Sequence, residues 1–93
     1  MFVGIVRIEL HIPGSSSLKD KRSVVQGLKE RIRQRVHAAV AEVDHQDLWQ
    51  RAALGVAVVS GHQRQVDELL QSVRNLVNAT HGAELLDWQE DRS

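Results

Sequence analysis

The chain has 93 residues, with 12 basic and 12 acidic side chains, no cysteine, one Phe, two Trp and no Tyr. A chain this short is expected to fold as one domain, residues 1–93, around a single modest core, and the lack of cysteine excludes a disulfide framework, a thiolate metal site and a cysteine nucleophile. Zero formal net charge argues against indiscriminate binding of polyanions.

The chain opens MFVGIVRIELHIPG. Phe2, Gly4, Val6, Ile8, Leu10 and Ile12 alternate with Met1, Val3, Ile5, Arg7, Glu9 and His11, which predicts a strand with one apolar face. Arg7 and Glu9 interrupt the apolar run, and a basic leader is missing. The stretch therefore reads as neither signal peptide nor membrane span, and the expectation is a cytoplasmic protein with no membrane partner.

Pro13-Gly14 ends the strand, and Ser17 with Asp20 resembles a capping box. Leu18, Val25, Leu28, Ile32 and Val36 then recur at helical spacing, which predicts an amphipathic helix to about His37. Between Ser17 and His37 stand seven basic side chains against two acidic ones, an excess of five positive charges. The rest of the chain carries an equal negative excess.

A short strand is predicted over residues 38–43, and residues 44–50 read as a polar connection. Arg51–Ser60 is β-rich and apolar on both faces, as expected of a central strand. Val66, Leu69, Leu70, Val73 and Val77 mark a second helix, with Gly82 suited to a left-handed C-cap. Residues 83–88 form the last predicted strand, and Gln89–Ser93 reads as a frayed acidic tail.

The order is βαββαβ. It predicts an α+β ferredoxin-like two-layer sandwich, an antiparallel four-stranded sheet with both helices on one face. The other face of the sheet is left without a helix. Val3, Ile5, Ala53, Ala57 and Val59 are candidates for an apolar interface there, and a second copy of the chain is the default cover for such a patch. Bases stacked on the sheet are not expected, because the third strand holds no aromatic residue and Phe2 belongs to the inward set.

Two further groups of residues could carry function. Lys19, Lys21, Arg22, Lys29 and Arg33 on the first helix could track an RNA backbone, or could simply form a solvated helix face. Asp44, His45, Trp49 and Arg51 in the second connection could belong to a partner site. Glu42, Asp44, His45 and Asp47 could also ligate a metal. They match no calcium loop and lack a second His for zinc, so a turn stabilised by local hydrogen bonds is the simpler reading, and no metal is expected. The sequence has no phosphate loop, nucleophile elbow or dinucleotide fingerprint. No cofactor, catalytic residue or enzymatic activity is expected.

Several segments carry a resemblance. These are Val3-Gly4-Ile5-Val6-Arg7-Ile8-Glu9-Leu10, Ser17-Leu18-Lys19-Asp20-Lys21-Arg22-Ser23, the stretch from Ala41 through Asp44-His45-Gln46-Asp47-Leu48-Trp49 to Ser60, and Glu84-Leu85-Leu86-Asp87. Together they resemble the YlxP-like family of bacterial proteins of unknown function over nearly the whole chain. The resemblance implies a ferredoxin-like fold and a cytosolic protein. It also implies a gene neighbourhood shared with translation initiation factor two and ribosome-binding factor A. The expected partners are therefore ribosomal RNA or a ribosome-associated protein. The alternative expectation is a homodimer formed through the sheet face.

Overall fold

The computed structural model describes residues 1–92. Its elements follow the predicted order: β1 (Phe2–His11), α1 (Leu18–Val36), β2 (Ala39–Asp44), β3 (Arg51–Ser60), α2 (Gln63–Asn78) and β4 (Glu84–Arg92). The strands form one antiparallel sheet in the order β2-β3-β1-β4. Both helices cover one face of it. Val6, Ile8 and Leu10 of β1 and Leu54, Val56 and Val58 of β3 meet Val25, Leu28, Ile32, Val66, Leu70 and Val73 in the core. No described helix is long and apolar enough to cross a membrane.

Local chemistry sets the helix ends. At the start of α1 the Ser17 hydroxyl accepts from the Asp20 N–H at 3.1 Å. The Asp20 carboxylate reaches one residue further back than a capping box requires, accepting from the N–H and the hydroxyl of Ser16. At the other end, His37 takes a left-handed conformation (φ 57°) and donates its N–H to the Arg33 carbonyl.

Three sequence expectations change. Gly82 does have positive φ, but in the turn before β4, while α2 ends on a right-handed Ala79. There the Thr80 hydroxyl donates to the Leu76 carbonyl and accepts from Arg31, tying the two helices together. Residues 89–92 are strand rather than frayed tail, because Gly4–Arg7 of β1 offer them backbone partners. Ser93 lies outside the described residues. Phe2, assigned to the inward set, stays 39% exposed at the end of β1.

Gly4 places α2. It faces the helices, and a Cβ there would stand 2.6 Å from Val66 Cγ1 and 2.9 Å from Leu70 Cδ1. Only glycine lets α2 approach β1 this closely.

Candidate functional site

Lys21 is the residue whose position departs furthest from expectation. The sequence places it with Lys19 and Arg22 as a phosphate contact, yet its side chain is 1% exposed. It fills the place between Leu18 and Val25 on the buried stripe of α1, and its ammonium reaches β2 and the loop beyond. Lys21 Nζ donates to the carbonyls of His45 (2.8 Å) and Gln46 (3.1 Å). It also lies 3.1 Å from Glu42 Oε2, close enough for charge pairing but out of line for a hydrogen bond. A buried cation needs such neighbours, because burying an uncompensated charge costs several kcal/mol.

On the open face, Glu9 gathers charges from β1, β3 and the loop after β2. Arg7 donates to Glu9 Oε1 through Nη2 and Nε at 2.8 and 3.2 Å. Arg51 Nη2 donates to Oε2 at 3.1 Å, and His45 Nε2 lies 3.1 Å from the same oxygen. Burial pushes the Glu9 carboxyl up, but the hydrogen bonds from Arg7 and Arg51 and the charge of His45 outweigh it and hold the pKa below the ordinary carboxylate range. Asp44 is also held low, first by the backbone N–H of His45 and then by Arg7. Accepting that N–H goes with the left-handed backbone of His45 (φ 62°).

The loop between β2 and β3 is thus pinned from several sides. Besides Lys21, the Leu48 N–H donates to the His45 carbonyl, and Gln50 Nε2 donates to the carbonyls of Pro13 and Ser15. The loop lies against the first turn of α1 and presents Leu48 and Trp49 to solvent, Trp49 being 55% exposed. Glu42, Asp44 and His45 are each engaged by a different partner. Among the described residues no three His, Asp or Glu side chains converge on a possible metal position.

Lys19, Arg22, Lys29 and Arg33 do share one flank of α1. At 3.6 residues per turn they fall within an arc of about 80° and extend over about 21 Å. Arg33 donates to the Val40 carbonyl and pairs with Glu30 at 3.6 Å, which sets this flank beside β2. Among the described residues Lys19, Arg22 and Lys29 take part in no ion pair.

The open sheet face divides into two halves. One is the Glu9 network. The other is apolar, with Ile5 47% and Val59 60% exposed, beside Val3, Ala57, Ala39, Ala41 and Val43. Gly55 floors a shallow groove of about 270 Å³ between Ile5 and Val43. Ala53 faces the same way but is fully buried between Glu9 and Asp44, so it does not belong to the exposed patch.

Residues 3–90 match the family described as Protein of unknown function (DUF503). The chain belongs to this family. It is similar to the Uncharacterized protein YlxP of Bacillus subtilis (strain 168), with 31% identity over 77 residues, covering 83% of this chain and 84% of that protein. The fold is similar to that of the de novo designed protein LFR1 1 with ferredoxin fold, at TM-score 0.57 and 9% identity, covering 100% of this chain and 84% of that one. It is also similar to the de novo designed protein Ferredog-Diesel, at TM-score 0.50 and 12% identity, covering 96% and 83%. At these identities the likeness to solved structures concerns the fold alone. The DUF503 description names no activity, so function has to be argued from the surfaces above.

The sequence reading overlooked Glu9, the centre of the open-face network, and Glu42 as the partner of Lys21. The signal for the second was present. Position 21 falls on the apolar stripe of α1, and Glu42 shares the inward face of β2 with Val40.

Proposed function

We propose that this DUF503 chain is a non-enzymatic binding protein that takes up RNA along α1, as a ribosome-associated or assembly factor. The observation that carries this reading is the row of Lys19, Arg22, Lys29 and Arg33 on one flank of α1, Lys29 half-buried and the other three exposed. Three of the four have no carboxylate partner among the described residues. Cations in a row, free to trade counterions for phosphates, give the salt-sensitive affinity typical of nucleic-acid binding. RNA-linked work, implied by the family resemblance, points the same way.

The test is binding of RNA measured against salt. Four phosphate contacts on a single strand give a slope of log affinity against log salt of about −3. A Lys19→Ala/Arg22→Ala/Lys29→Ala variant should flatten the slope and weaken binding. Lys21 is kept intact in that variant, because removing it would unsettle the fold. Equal binding by wild type and variant would refute the reading.

A second reading has its own observation. The apolar half of the open face, around Ile5, Val59 and the Gly55 groove, suits a second copy of the chain. It supports a sheet-to-sheet homodimer. Sedimentation at several hundred micromolar tests it: a dimer lost on Ile5→Glu supports this reading, and a wild-type monomer rejects it.

A further inference from the structure

We infer that the RNA held along α1 is single-stranded, and that one of its bases stacks on Trp49. The inference rests on the RNA reading above and names the substrate class of that surface. Its first support is the state of the indole. Trp buries a large apolar area wherever it can, yet Trp49 is more than half exposed at a loop tip.

That tip is rigid. Two carbonyls of the loop are held by Lys21, the His45 carbonyl also accepts from Leu48, and Gln50 is bonded to Pro13 and Ser15. The Ile12 N–H donates to the Gln50 carbonyl. The backbone on either side of Trp49 is therefore held before any ligand arrives, and a ligand that covers the ring gains the contact without the cost of ordering the loop.

Position is the second support. Lys21 ties the loop to the first turn of α1, where Lys19 and Arg22 begin the basic row, and Gln50 ties it to Pro13 and Ser15 of the connection just before that turn. A strand whose phosphates follow that row reaches Trp49 at its end. Of the other aromatic rings, Phe2 lies at the far end of β1, beside Ser60, and the half-buried Trp88 of β4 stands at the opposite edge of the sheet under Arg74, 5.2 Å away. Duplex RNA keeps its bases stacked inside the helix and offers mainly backbone and groove shape. An aromatic ring beside a row of cations suits a strand with free bases, whose every π-face can stack.

The experiment titrates one labelled RNA oligonucleotide of mixed sequence, as a single strand and annealed to its complement, into the full chain carrying Trp88→Phe. Emission then comes from Trp49 alone. The single strand should bind more tightly than the duplex and quench that emission. Trp49→Ala should weaken single-strand binding about 5- to 100-fold, Trp49→Phe should restore most of it, and duplex binding should not change. If both forms bind alike and Trp49→Ala alters nothing, while the Lys19/Arg22/Lys29 variant still loses affinity, this inference falls and the RNA reading stands. If wild type binds neither form, both fall together. If Trp49→Ala changes the sedimentation of the protein but not its RNA affinity, the indole serves a protein contact and the inference is overturned.

Discussion

Lys21 illustrates how a charged residue is read wrongly from composition and rightly from position. Among seven basic residues on one helix it looks like one more surface cation. Its helical phase, in register with Leu18, Val25 and Leu28, sends it inward instead. There it replaces an apolar residue and holds α1, β2 and the loop after β2 together. Lys21→Met should cost about 3–4 kcal/mol, since Glu42 and two carbonyls are left without their cation; urea denaturation reads the loss. Adding Glu42→Leu to Lys21→Met should recover part of it, whereas a further loss would show that the buried pair is not the cause. Glu9 gives a pH signature. Its pKa is lowered on folding, so its contribution is present above the ordinary value of 4.5 and is lost as pH falls through the folded value. Glu9→Gln should lower stability at pH 7 by about 1–2 kcal/mol and should flatten the decline of stability below pH 4.5. Denaturation curves at pH 7, 4 and 3 would show this.

At the scale of elements, five of the six spans are legible from periodicity, because each packs one face against a shared core. β1 alternates, β3 is a continuous apolar run, and α1 and α2 repeat near every fourth residue, so their placement follows from burial alone. β4 is the exception. Gln89-Glu90-Asp91-Arg92 has the composition of a solvated tail, yet β1 is long enough to pair with it through Gly4–Arg7. Backbone pairing across a neighbour leaves no mark in the composition of the partner. The open-face network was illegible for a similar reason. Glu9, His45 and Arg51 are far apart in sequence, and the register that joins them appears only when β1, β2 and β3 align. Register also decides the role of Gly4. Gly4→Ala should cost about 1–3 kcal/mol as α2 is forced off β1; thermal unfolding measures it, and an unchanged midpoint would place the tight approach elsewhere.

For the whole molecule, surface area weighs the two readings of function. The exposed area of 5517 Å² is close to the roughly 5,400 Å² expected of a folded monomer of this mass, so the single chain is as compact as a typical folded monomer. The apolar half of the open face spans three strands and eight residues, on the order of 250 Å². A stable interface takes about 800 Å² from each partner. A dimer built on that half alone is weak, which is why the RNA reading stands first. Size-exclusion chromatography at about 10 µM should therefore give a monomer, and a dimer there would bring more of the face, the Glu9 network included, into the interface.

The charge separation noted in the sequence has a spatial form. α1 runs beside β2 at one edge of the sheet, while Glu84, Asp87, Glu90 and Asp91 lie on β4 at the other. The molecule carries no net charge but has two unlike poles. Far from a polyanion it feels little; within about 8–10 Å, the screening distance of physiological salt, it feels a torque. That torque would turn the basic edge toward such a polyanion before contact. If RNA seats on the basic edge as proposed, the acidic edge faces outward, and the surface left exposed would repel a second strand instead of bridging to it.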